Sequence, residues 1–127
     1  MNAHNLISNL IKNIGYFILL FIFSVIVAGI AKKFAIPLTL GGIILEIILF
    51  IGSVWIGYKN TKDANEPKFQ NSFILHLIIT VLSGVFVFFT DKDPLWKQAI
   101  SGLLFLVSLE VGSFIYYLKH RKSKFDL

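Results

Sequence analysis

A chain of 127 residues that is 56% hydrophobic and only 15% charged departs from the composition of a water-soluble domain. Its mean hydropathy of +0.77 and its long apolar runs argue against a soluble bundle, which would expose more apolar surface than a monomer tolerates in water. The net charge of +5 sits in loops and the tail with no nucleic-acid-reading motif beside it, and the lack of cysteine excludes disulfides and thiolate chemistry.

In chain order, residues 1–13 form a polar, amphipathic lead with Lys12 as its single basic group. The first predicted span covers residues 14–31. A secretory signal would want a basic start, a shorter apolar core and a small-x-small cleavage site, so this run of about eighteen residues reads as a retained helix. Lys32 and Lys33 close it. Pro37 falls in the first turn of the second span, residues 36–58, where its missing N–H costs least. A hydrophilic loop over residues 59–70 leads to a third span over residues 71–90, with Asn71 or Ser72 as its N-cap. The turn Asp91-Lys92-Asp93-Pro94 separates it from a fourth span over residues 96–118, and a basic, frayed tail occupies residues 119–127. The expectation is an all-α membrane protein: one integral domain, residues 1–127, built as a four-helix transmembrane bundle of two consecutive hairpins.

Orientation follows from basic residues. Lys12, Lys59, Lys62, Lys68, Lys119, Arg121, Lys122 and Lys124 fall on one side, against Lys32, Lys33, Lys92 and Lys97 on the other. The excess of eight over four predicts both termini in the cytoplasm of a cell membrane, of the bacterial inner-membrane type. Trp55, Tyr58, Tyr116 and Tyr117 then belong to the inner aromatic belt and Trp96 to the outer one. At an offset of sixty residues, Gly42, Leu49, Gly52, Ser53 and Lys59 fall on Gly102, Leu109, Gly112, Ser113 and Lys119, a pattern that allows a tandem two-helix repeat.

The stretch LGGIILEIILFIGSVWIGY (residues 40–58) carries one carboxylate, Glu46, near its middle, and an ionisable group at membrane depth is a functional-site hypothesis. Gly42, Glu46, Leu49, Ser53 and Gly57 follow three- and four-residue steps and share a face. Gly42, Gly52, Ser53 and Gly57, with Ser108 and Gly112 of the fourth helix, are the candidate helix-packing positions. Glu46 is therefore expected to face a protein interface or cavity. On the third helix Ser72, His76, Thr80, Ser83 and Thr90 fall near one side, and on the fourth Glu110, Ser113 and Tyr117 lie opposite Ser108 and Gly112. The spacing brings Glu110 and His76 within reach of each other about 12 Å from the inner end, with Tyr117 nearby. Glu46, Glu110, His76, Thr80, Ser83 and Tyr117 are then either an intramembrane proton or cation pathway, or polar groups that specify helix packing. No cofactor motif, metal-ligand spacing or catalytic motif occurs, so no enzyme is expected.

The four-span size and the membrane glutamates resemble small multidrug resistance transporters, but that family carries its glutamate in the first helix, where this chain has none. The segment SGVFVFFTDKDPLWKQAISG (residues 83–102) resembles the first hairpin of ATP synthase subunit I, over about a sixth of the chain and in its last hairpin instead of its first. Three functions remain as expectations. The leading one is a non-enzymatic accessory or interaction protein, of the assembly-factor, toxin-immunity or regulatory type. A small oligomeric proton-coupled transporter or channel using Glu46 and Glu110 is the second, and a phage-type hole-forming protein the third. The expected partners are the lipid bilayer and either further copies of the chain or another membrane protein.

Overall fold

A computed structural model describes residues 3–125 and the side chains of residues 4–120. Its elements are four helices: α1 (Ala3–Lys33), α2 (Leu38–Asp63), α3 (Lys68–Thr90) and α4 (Leu95–Phe125). Each is long and apolar enough to cross a membrane. All four run past the apolar stretches that mark them in the sequence. The polar lead is helical from Ala3 onward, and α4 continues through the basic stretch to Phe125 instead of fraying at residue 119. Residues 126 and 127 of the expected tail, and the side chains from 121 onward, lie outside the described residues.

Local chemistry sets the connections. The α1–α2 turn closes with the Ile36 N–H donating to the Ala31 carbonyl and the Ala35 N–H to that of Lys32. This is the Schellman arrangement, and it puts Ala35 at a φ of 55° in the left-handed region. The expected hydrophilic loop of residues 59–70 shrinks to a few residues, because α2 continues to Asp63 and α3 already begins at Lys68. Its side chains hold that turn: Lys68 Nζ donates to the carbonyls of Lys62 and Ala64, and Asn71 Nδ2 to that of Asn65. Asn71 and Ser72 are thus not N-caps. They lie one turn inside α3, whose cap position is Pro67. At the far end, Asp91 accepts from the Asp93 N–H and Gln98 donates to the Asp93 carbonyl, fixing the α3–α4 turn.

The contact between α2 and α4 is the most extensive in the bundle, and α1 and α3 are added to that pair. Two stripes of small residues make it possible: Ser53, Gly57 and Thr61 on α2, and Ser108 and Gly112 on α4. A methyl group on Gly57 would strike the Leu109 carbonyl, and one on Gly112 would strike the Val54 carbonyl and the Tyr58 nitrogen, so the two backbones touch. Gly52 faces the Leu20 side chain of α1 at a similar close approach. Gly42 does not pack at all: it is exposed with open space around it, contrary to its expected role. Gly57 meets residues fifty-two to fifty-five positions further on, and Thr61 bonds Ser113 at a separation of 52. The two helices are therefore shifted along each other relative to the sixty-residue offset, and packing lends that repeat no support.

Burial is confined to one end. Among the described residues, none from 14 to 52 and none from 80 to 107 is buried. What is buried comprises nine polar side chains against five apolar ones, while Phe21, Ile22, Phe50, Phe86 and Leu103 are exposed. That order is inverted relative to a soluble core and suits a chain whose outer surface meets lipid.

The crossing makes a sharp prediction. Gly57→Val or Gly112→Val forces the backbones apart and costs about 1–3 kcal/mol or more, whereas Gly42→Val leaves stability unchanged. Unfolding of the purified variants in detergent, followed by circular dichroism, checks the contrast.

Candidate functional site

The buried end contains three polar links, each joining a different pair of helices. Asn13 of α1 and Asn60 of α2 exchange two amide hydrogen bonds, of 2.8 and 2.9 Å, and are only 3% and 5% exposed. Thr61 of α2 and Ser113 of α4 share a hydroxyl bond of 2.6 Å, and Thr61 also donates to the Gly57 carbonyl. His76 of α3 and Glu110 of α4 meet at 2.7 Å through Nδ1 and Oε1. In lipid, a polar side chain that pairs across helices removes the cost of meeting hydrocarbon alone.

The third link is the only one with titratable groups on both sides. His76 is fully buried, whereas the Glu110 side chain is 34% exposed, so the Glu110 side chain reaches the bundle surface and the imidazole does not. The second ring nitrogen, His76 Nε2, is buried with no partner among the described residues, and the same holds for the Thr80 hydroxyl one turn further along α3. Glu110 and His76 are brought together as their spacing predicts. Tyr117 belongs instead to an aromatic cluster, its ring 5.7 Å from Phe69 and 6.4 Å from Phe114. Phe69 also approaches Tyr116, which packs on Tyr58. Lys59, Lys68 and Lys119 lie over the rings of Trp55, Tyr116 and Tyr58, so this end combines aromatic faces with ammonium groups as a membrane interface requires.

Ser83 joins neither glutamate. It lines a cleft of about 770 Å³ between α1 and α3, whose other walls include Asn13, Phe17, Phe21 and Phe86. Ser53 and Ser108 are buried in the α2–α4 contact, and Ser108 donates to the Leu104 carbonyl of its own helix. Glu46 stands apart. Helical spacing places it on the stripe of Ser53 and Gly57, but at its level the helices no longer cover one another and the residue is exposed. Within one chain it faces no interior, so the expected protein interface or cavity is not formed inside the protomer. It lies about 12 Å from the start of α2, which is near the middle of the apolar run.

Asn13, Asn60 and Thr61 escape the sequence reading because they fall in segments assigned to a lead and a loop. Their signal is present all the same, since each lies within two turns of an apolar run with no helix breaker between. Among the described residues, no group of three or more His, Cys, Asp or Glu is placed to hold a metal ion. Comparison with protein-family models, with curated proteins and with solved structures finds no match.

The amide pair is testable as a coupled unit. Asn13→Leu or Asn60→Leu alone strands a buried amide and costs about 1–3 kcal/mol. The double variant costs less than the sum of the two, and a thermodynamic cycle of unfolding free energies in detergent measures the difference.

Proposed function

We propose that this is a multi-pass membrane protein of two hairpins with both termini in the cytoplasm, and that it acts without catalysis, by binding another membrane protein. The observation that carries the reading is Glu46, an exposed acidic residue near the middle of the apolar stretch of α2 that ends at Tyr58. A carboxyl facing acyl chains costs at least about 2–3 kcal/mol, so such groups are kept where a partner or water receives them. The half of the bundle around Glu46 contributes no buried residue of its own, which leaves a broad apolar surface for that partner. The polar inner end holds the protomer together independently of this surface. The orientation rests on the lysine excess and on the aromatic and lysine cluster at one end.

A second reading has its own observation in the buried His76–Glu110 contact. An imidazole and a carboxyl 2.7 Å apart within helices of this apolar character are the kind of pair that proton-coupled transport uses.

The two readings separate experimentally. A photo-crosslinking residue at Gly42, four positions from Glu46 and also exposed, should give a discrete protein adduct in native membranes. Glu46→Leu should reduce that adduct at least several-fold while the bundle stays folded. Lipid adducts alone would overturn the docking reading. Proton flux into dye-loaded proteoliposomes that disappears in Glu110→Gln and persists in Glu46→Gln would put the second reading first.

A further inference from the structure

The clue is the pair of buried polar atoms that no other described residue satisfies, His76 Nε2 and Thr80 Oγ1. They occupy successive turns of α3, four residues apart, and so project from the same side of the helix. Leaving either unsatisfied is unfavourable, because the group has lost water without gaining a partner. Two such groups on one side, beside a short contact between ionisable groups, call for a ligand common to both. We propose that His76 Nε2 and Thr80 Oγ1 bind one buried water molecule, which connects the imidazole, and through it Glu110, to Thr80.

The proton inventory selects water over other ligands. If Glu110 is ionised and the imidazole neutral, the carboxylate only accepts, so the shared proton is on Nδ1 and Nε2 presents a lone pair. If Glu110 is protonated it donates to Nδ1, and Nε2 then carries the hydrogen. The ligand must serve Nε2 as a donor in the first case and as an acceptor in the second. Water does both, as does the Thr80 hydroxyl that holds its other side, and two or more such partners are what a buried water needs. A cation suits only the first arrangement, with a single nitrogen and a single hydroxyl as ligands. An anion suits only the second.

The same inventory gives the site an activity, which rests on the second reading above. A proton arriving on the water as hydronium binds Nε2, while the Nδ1 proton passes to the Glu110 carboxylate. The water is restored, the imidazole is left neutral in its other tautomer, and Glu110, whose side chain is one-third exposed, carries the proton. His76 is the closed point of this path, being fully buried.

The test is solid-state NMR of the full-length chain, labelled with ¹⁵N at histidine, in lipid vesicles. His76 is distinguished from His4 and His120 by comparison with His76→Gln. Magnetisation transfer from water should reach Nε2 in the parent, fall at least several-fold in Thr80→Val and recover in Thr80→Ser, with the Nδ1 contact to Glu110 present in all three. A dry Nε2 in the parent overturns the site, and so does full transfer in Thr80→Val. If Thr80→Val does not fold, Thr80→Ala serves in its place, and the parent measurement stands on its own. Proton flux on the same vesicles keeps the two claims apart: a wet Nε2 without flux retains the water site and removes the relay, whereas flux with a dry Nε2 removes the site and leaves proton transport standing.

Discussion

The bundle depends on the backbone contact between α2 and α4, where Gly57 lies against Leu109 and Gly112 against Val54. Between helices in lipid there is no hydrophobic gain from association, so close van der Waals packing and interhelical hydrogen bonds must hold them together. Removing two side chains at the crossing allows that approach. It also fixes the register: with Gly57 set against Leu109, Thr61 comes opposite Ser113 and the two hydroxyls meet. Glu110, next to Leu109 in sequence, is turned away from α2 and toward α3, where His76 receives it. One steric fact therefore positions two of the three polar links.

A contact so close at one level leaves helices free to part at others. Every residue buried in the described structure lies between Ser53 and Ala64 of α2 and its following turn, between Asn71 and Ile79 of α3, between Ser108 and Ser113 of α4, or at Asn13 of α1. The polar links follow the same distribution and tie α1 to α2, α2 to α4 and α3 to α4. No such link among the described residues joins α1 to α3, and the 770 Å³ cleft lies between those two helices. The opening is the expected result of connecting four helices through three pairings.

Helix number and placement were legible in the sequence because apolar runs of that length admit few structures. Helix ends were not. The membrane-depth pattern stops at Tyr58, while the helical hydrogen bonds continue to Asp63, since Lys59–Asp63 contains neither glycine nor proline to halt them. Reading that segment as loop removed Asn60 and Thr61 from consideration and with them two of the three polar links. The meeting of His76 and Glu110 was visible from depth alone, because two polar residues on antiparallel neighbours at similar distances from one end have few other partners. Gly42 shows the converse limit. Its spacing matches that of Gly57, but periodicity defines a face and cannot show how far along that face a neighbouring helix remains in contact.

Glu46 and Glu110 show how one residue type acquires two situations. Both are carboxyls flanked by apolar residues within long helices. Glu110 lies beside the α2–α4 crossing, at a level where α3 is close enough for His76 to reach it at 2.7 Å. Glu46 lies about 16 Å along α2 from Gly57, beyond the region where any neighbour is buried against it. The first carboxyl has a partner inside the protomer and can serve the bundle's own chemistry. The second has no enclosing surface in a single chain. The difference lies in level along the helix and not in residue type: α3 and α4 close over one end of α2 and leave the other uncovered.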